Sequence, residues 1–444
     1  MTLRVTLRAV LVGILALTVV AGPSVARVQA AGEIFIPLLV YRTGPYAPNG
    51  IPIANGASDY FTLVNERDGG INTVKIAFEE CEDQYDTKQG VECYERLKAK
   101  NPVLVNPYST GITYQLIPKA PIDKIVIHSM GYGMTASADG RWFPWVFNFP
   151  MTYWSQASAF VKYVAQQEGG MDKLKGKKIA HIYHNSPYGK EANPTLEDLA
   201  RRHAFELTLL AVDHPGQEQK ATWLQIRRLN PDWIYISGWG VMNQVAVKEA
   251  GATGVKMDRV VGNWWTGTET DVIPAGDAAK GYKSMSFTAP GAEFKVHQDI
   301  FKHVYDKGKG AYGNDRAKVG EVLYNRMVVN AMLNVEAIRT AMTKYGNKPL
   351  TGEQVRWGFE NLNITDKRLE ELGMKGMMRP LRVTCENHEG NGLAFVQQWD
   401  GKKWNVVSDW IEPIRDVVRP KLEAEAVVEA KKLNYTMRDC AKEK

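Results

Sequence analysis

Cysteine is scarce in this chain, with four in 444 residues. No Cys-x-x-Cys and no paired Cys/His spacing occurs, which argues against a zinc site. There is no Gly-x-Ser-x-Gly elbow and no Walker loop, so the common signatures of serine hydrolysis and nucleotide binding are missing. No stretch stays apolar over the ~20 residues that span a bilayer. Charge of one sign is also in short supply: 55 Lys and Arg face 49 Asp and Glu, a net +6. A nucleic-acid footprint needs a clustered basic face, and none is visible. Nor is there a low-complexity segment.

The first thirty residues carry the most information. Arg4 and Arg8 precede an uncharged apolar run, Ala9 to Ala21, and Val28-Gln29-Ala30 offers small residues at a cut. A basic, then apolar, then small-residue order is that of a secretory leader. The expected leader is residues 1–30, with the mature chain starting near Ala31 in the periplasm. A retained membrane anchor is the alternative, but the run is short for it. The first cysteine, Cys81, lies far from the cut and argues against a lipid anchor. Loss of Arg4, Arg8 and Arg27 with the leader leaves an even milder charge.

The remaining residues are too many for one simple core, so two domains are expected. Cys81 and Cys93 bracket one segment, and Cys385 and Cys440 lie near the C-terminus. In an oxidising compartment these read as two disulfides, Cys81–Cys93 and Cys385–Cys440, against free buried thiols or a metal site.

Hydrophobic patterning alternates strands with helices. Residues 34–40 form an apolar run that leads into Tyr41-Arg42-Thr43-Gly44-Pro45. Ile53, Ala57, Tyr60, Phe61 and Val64 then share one helical face, ended by Asp68-Gly69-Gly70. Residues 73–78, 103–105 and 125–127 are strand-like, and 87–98 is helical. The rhythm restarts after Pro150. Helices are expected at 153–167, 191–203, 222–229 and 241–250, and strands at 178–183, 207–212, 233–237 and 259–261. Two successive units of this kind imply parallel sheets covered on both faces. Ligands then sit beyond the carboxyl ends of the strands. Helical periodicity returns at 294–304 and 321–344. Residues 394–399 and 404–407 flank Asp400-Gly401 as a hairpin. Residues 413–444 are charge-rich and read as a helical tail.

These residues resemble a known family. Gly44-Pro45-Tyr46-Ala47, Gly50, Asn65 and Gly69-Gly70-Ile71 are similar to the opening of the leucine/isoleucine/valine-binding proteins, the type I periplasmic receptors of ABC importers. Tyr188-Gly189, Pro231-Asp232, Gly238 and Asp277-Ala278-Ala279-Lys280-Gly281 follow in order, and the likeness spans about residues 33–410. It implies an α/β fold of two Rossmann-like lobes joined by a three-strand hinge. The first lobe would hold residues 31–150 and 290–378, and the second 151–289 and 379–412. The chain would cross at 149–153, at 288–290 and before the hairpin, leaving 413–444 as an extension. The hinge would close on a solute, and the permease would read the closed form.

Carried over onto the strand-end loops, the family's site implies Tyr46 after the first strand. Asn106, Tyr108, Ser109 and Thr110 follow the third, with Ser129, Met130, Gly131 and Tyr132 beyond 125–127. Tyr188, Trp239 and Trp265 come from the second lobe, and Tyr324 closes the pocket from the first. Ser109 and Thr110 suit a carboxylate at a helix start, although Ser109 can equally cap its own helix. The rings at 46, 108, 132, 188, 239 and 265 suit a planar or apolar solute, although any single one can be ordinary core. Amino-acid-binding members place an acid after the strand matched by 259–261. This chain has Gly262-Asn263-Trp264-Trp265-Thr266 there, and Glu269 and Asp271 reach the site only if the loop folds back.

The resulting expectation is a periplasmic substrate-binding subunit of an ABC importer that takes a small aromatic or hydrophobic carboxylate. A branched-chain or aromatic amino acid is the alternative ligand, and a sensor subunit for a signalling partner is the alternative role. The expected partners are the solute and a membrane permease, with no nucleic acid, no cofactor and a monomeric chain. An enzyme is the rival class. Its best residues are His181 and His184, which face opposite sides of a strand, and the bare pair His128-Ser129.

Overall fold

The computed structural model describes Met1 and residues 32–443. Apart from Met1, the expected leader and its cut lie outside the described residues. Among the described residues, no helix is long and apolar enough to cross a membrane.

The apolar run near the start becomes β1 (Glu33–Val40), buried from Ile36 onward and paired in parallel with β2 (Lys75–Glu82). β2 starts later than the periodicity predicts. Asn72 and Thr73 take positive φ, and Ile71 and Val74 close a turn in front of it. β3 (Leu104–Val105), β4 (Val126–His128) and β5 (Val146–Phe147) continue in parallel, joined to β1 by a bridge between Leu38 and Asn106. Helix Ala47–Arg67 packs on helix Val322–Tyr345, so a late segment of the chain completes the first lobe.

The second lobe is built on β6 (Lys178–His184), β7 (Glu206–Val212), β8 (Trp233–Ser237), β9 (Val260–Gly262) and β10 (Lys283–Ser286). β11 (Asn363–Ile364) and β12 (Leu381–Arg382) form a separate antiparallel pair. β13 (Phe395–Trp399) and β14 (Trp404–Val406) are the expected hairpin, and the seven-stranded order is β14-β13-β10-β9-β8-β6-β7. All five residues of β8 are buried, as a central strand covered on both faces requires.

The segments expected to cross between the lobes hold one another. Asn148 N–H donates to the His388 carbonyl (2.9 Å), Gly392 N–H to that of Pro150 (3.0 Å) and Ala289 N–H to that of Met377 (2.8 Å). Glu389 accepts from both the backbone N–H and the hydroxyl of Thr152.

Both disulfides form as paired in the sequence, Cys81–Cys93 and Cys385–Cys440. The tail differs from a continuous helix. Arg415–Lys432 is helical, and beyond it the chain runs as a non-helical strap through Asn434 at positive φ. Specific anchors override helix propensity in the strap. The Tyr435 hydroxyl donates to the Ile117 carbonyl (3.0 Å), Arg438 pairs with Glu360 (2.6 Å), and Cys440 is tethered to Cys385.

Candidate functional site

The carboxyl ends of the strands in the two sheets face one another. From the first lobe come Tyr41 after β1, Tyr85 after β2, Tyr108 after β3 and Tyr132 after β4. From the second come Tyr188 after β6, Trp239 after β8, Trp264 and Trp265 after β9, and Phe287 after β10. Their rings form one contiguous cluster. Tyr85 lies 5.0 Å from Tyr41, 4.7 Å from Tyr46 and 6.1 Å from Trp239. Trp239 is 5.4 Å from Trp265, and Tyr132 stacks on Trp265 at 4.3 Å and 28°. Tyr153, in the helix after the first crossing, stacks on Trp264 at 5.2 Å and receives the Trp265 indole N–H (2.9 Å). Offset and edge-on pairs of this kind add to the area they bury.

The lobes touch directly around these rings. Val241 N–H donates to the Pro45 carbonyl (3.2 Å), and the Tyr46 hydroxyl meets His184 Nε2 (3.1 Å). Glu191 accepts from the Thr135 hydroxyl (2.8 Å) and from Tyr114. A cleft of about 390 Å³ opens alongside, lined by Tyr46, Tyr85, Ser109, His184, Tyr188 and His214.

Among the expected site residues, Tyr46, Tyr108, Tyr132, Tyr188, Trp239 and Trp265 fall in or against the cluster. Ser109 lines the cleft and also accepts from Ile112 N–H at the start of its helix, as its capping reading has it. Thr110 is buried, its hydroxyl beside that of Tyr153. Gly131 takes φ +77, and a methyl there would lie 2.8 Å from Trp264, so glycine gives that indole its room. Met130 is buried at positive φ beside it.

Other expected residues are engaged elsewhere. Asn106 donates to the His128 carbonyl (2.9 Å) and accepts from Asn334 (2.7 Å). The Ser129 hydroxyl donates to Asn148. Tyr324 does not join the ring cluster: its hydroxyl donates to Asp59 (2.8 Å) and its ring stacks on Tyr312.

The enzyme candidates are likewise occupied by neutral partners. His128 Nδ1 meets Asn334 (2.7 Å) and its Nε2 the Phe149 carbonyl; burial pulls the imidazole down to about 4. His181 is held between Asn193 and Ser237, and burial lowers it to about 3. Among the described residues, no group of three or more His, Cys, Asp or Glu side chains could hold a metal ion.

The loop after β9 does fold back. Asp271 is buried, accepts from Asn243 (3.1 Å) and, across the seam, from Asn49 (3.4 Å), and burial pushes its carboxyl up to about 8. Glu269 accepts from Val322 N–H (2.9 Å), and burial raises it too. Both acids are thus spent on the lobe–lobe seam.

Sequence reasoning missed Tyr41, Tyr85, Tyr153 and Arg326. Arg326 is fully buried in helix Val322–Tyr345, with its guanidinium carbon 5.0 Å from the Trp265 ring centre and 4.8 Å from that of Phe287. A lone arginine amid Val322, Leu323, Met327 and Val328 was the available signal.

Comparison with known proteins agrees with this architecture. The sequence pattern of the periplasmic binding proteins matches residues 33–403. A crystal structure described as an ABC transporter permease from the Pseudomonas fluorescens group is 43% identical, with a TM-score of 0.85, covering 92% of this chain and 99% of its own. A branched-chain amino acid ABC transporter structure from Thermus thermophilus with bound valine is 20% identical, with a TM-score of 0.73, covering 88% and 99%. The Leu/Ile/Val-binding protein homolog 1 of Brucella abortus is 25% identical over 305 residues, 66% of this chain and 78% of that protein. With its two parallel-sheet lobes meeting over a cleft, the chain belongs to the periplasmic binding protein family, as a type I member of the leucine/isoleucine/valine-binding group.

Proposed function

We propose that this chain is the periplasmic solute-capturing subunit of an ABC importer, and that its lobes close over a small aromatic or hydrophobic carboxylate. The observation that carries the reading is the ring cluster contributed by both lobes, from Tyr85 through Trp239 and Trp265 to Tyr132. Rings from opposite lobes enclose a flat apolar solute only when the lobes meet, so such a ligand binds the closed form better than the open one. That difference in affinity is what drives closure. The closed form is the state a permease reads.

The site disfavours an α-amino acid. A buried ammonium needs a carboxylate partner, and the two acids after β9 are already engaged and held toward their neutral forms. The valine-bound neighbour, at 20% identity, bears on the fold alone.

A thermal-shift screen of aromatic acids, aliphatic acids and amino acids tests the reading. A ligand at a hundredfold excess over its dissociation constant stabilises by about 2.7 kcal/mol. Shifts confined to aromatic or hydrophobic acids are expected. Shifts confined to amino acids would overturn the ligand class and leave the receptor role standing.

A further inference from the structure

Among the described residues, Arg326 is a charged side chain inside the ring cluster that the receptor reading does not use. It has no solvent exposure, and its hydrogen-bond partners are both neutral: the Trp264 carbonyl and the Ser286 hydroxyl (3.1 Å). Its Nε–H is unpaired among the described residues. The nearest acids, Asp271 and Glu269, favour its charge through space, but neither hydrogen-bonds to it. Asp271 is bound to Asn49, Asn243 and Thr268 N–H, and Glu269 to Thr268 and Val322 N–H. Burial lowers the guanidinium to about 9, so it stays cationic at neutral pH.

Arg326 is also not the only unsatisfied donor. The indole N–H groups of Trp239 and Trp264 are buried in the same cluster without acceptors. Buried donors are normally paired, so several together call for an acceptor that is absent from the chain. The buried acceptors without donors at Asn49 and Asn243 lie instead at Asp271, on the seam.

We propose that Arg326 is the charge partner of the solute's carboxylate and selects a planar monocarboxylate against both its neutral amide and an α-amino acid. The inference rests on the receptor reading above. Arg326 projects from a helix of the first lobe, whereas Trp264, Trp265, Ser286 and Phe287 belong to the second. An anion bound there is therefore enclosed by both lobes at once. The rings against the guanidinium suit a planar group, and an arginine fork suits a carboxylate. An α-ammonium would be brought toward a like charge in a low-dielectric site.

The test is calorimetric titration of the purified protein with benzoate, phenylacetate, benzamide, phenylacetamide, L-phenylalanine and L-valine. It is run on the wild type, Arg326→Gln and Arg326→Lys, with melting temperatures of the unliganded proteins. The wild type should bind at least one acid about a hundredfold more tightly than its amide, a difference of about 2.7 kcal/mol. Arg326→Gln should abolish that preference and leave amide binding unchanged, and Arg326→Lys should keep part of it. Unliganded Arg326→Gln should melt no lower than wild type, because it removes a fully buried charge that no acid hydrogen-bonds; a residue that only braces the fold would lower it. Equal acid affinity in wild type and Arg326→Gln overturns the assignment. Should that variant not fold, the acid-against-amide ratio of the wild type decides alone. If the wild type binds L-valine or L-phenylalanine instead, the carboxylate-only reading falls. The Arg326→Gln effect on that amino acid then judges Arg326 separately. A wild type that binds none of the six probes overturns both.

Discussion

Gly240→Ala should weaken solute binding about thirtyfold while leaving a folded protein. Gly240 lies after β8 at φ +61 and ψ −137, a region that side-chain-bearing residues rarely adopt. A methyl there would lie 2.6 Å from Tyr46 Cδ1 and 2.8 Å from the Pro45 carbonyl, both in the opposite lobe. The two costs separate by experiment. Backbone strain of about 1–3 kcal/mol accompanies residue 240 whether the lobes meet or part, so it lowers the melting temperature. The clash exists only when the lobes meet, so it lowers affinity. Inserting a methyl into a packed contact costs about 1–3 kcal/mol, and about 2 kcal/mol is roughly thirtyfold in dissociation constant. Calorimetry with the best solute from the screen gives the affinity, and small-angle scattering with and without it reports closure. A variant that melts lower yet binds like wild type would show that the Pro45-Tyr46 contact with Gly240 is no part of the solute-bound form.

Trp239→Ala and Tyr108→Ala should each weaken binding at least about tenfold, or 1.4 kcal/mol. Tyr324→Phe should leave affinity unchanged and lower stability by about 1 kcal/mol through its lost bond to Asp59; unchanged affinity in both cluster variants would dismiss the site. Asp271 is held protonated up to about 8 in the folded chain, against about 4 unfolded. The folded state therefore retains a proton that the unfolded chain releases, and Asp271 costs stability progressively as pH rises from about 4 to 8. Asp271→Asn should flatten that part of the melting-temperature profile, and an unchanged slope would refute the shift. Replacing Cys385 and Cys440 by serine opens a loop of 55 residues, worth about 4 kcal/mol of chain entropy. Urea unfolding should show most of that loss, and a loss below about 1 kcal/mol would mean that Arg438 and Tyr435 hold the strap without the bond.

The lobes were legible because a parallel sheet writes its strands locally. β8 is a run of five buried residues between turn signals, and its neighbours repeat that pattern at regular intervals. Both disulfides followed from compartment and separation alone. Where expectation and structure part, a tertiary contact decides. The strap after Lys432 is charge-rich enough to be helical, but a tether at Cys440 and a salt bridge from Arg438 to Glu360 fix its path.

The proposed site was legible only in its local half. Tyr46, Tyr132, Tyr188 and Trp239 were reachable because strand-end loops can be marked along the sequence. Tyr85 was not, because it enters through a turn after β2 at positive φ, where nothing but its rings' neighbours reveals it. Arg326 is harder still. Its helix is buried along most of its length, so its periodicity is that of a core helix, and a charge within it reads as an exception. Its surroundings come from Trp264, Trp265, Ser286 and Phe287, contributed by the other lobe. A buried cation is tolerable only where something supplies the opposite charge. The chain's own acids act on Arg326 only through space, so the proposed carboxylate would be its direct ion partner. On this proposal the buried charge of Arg326 and the preference for a carboxylate have one cause, and a single substitution tests both.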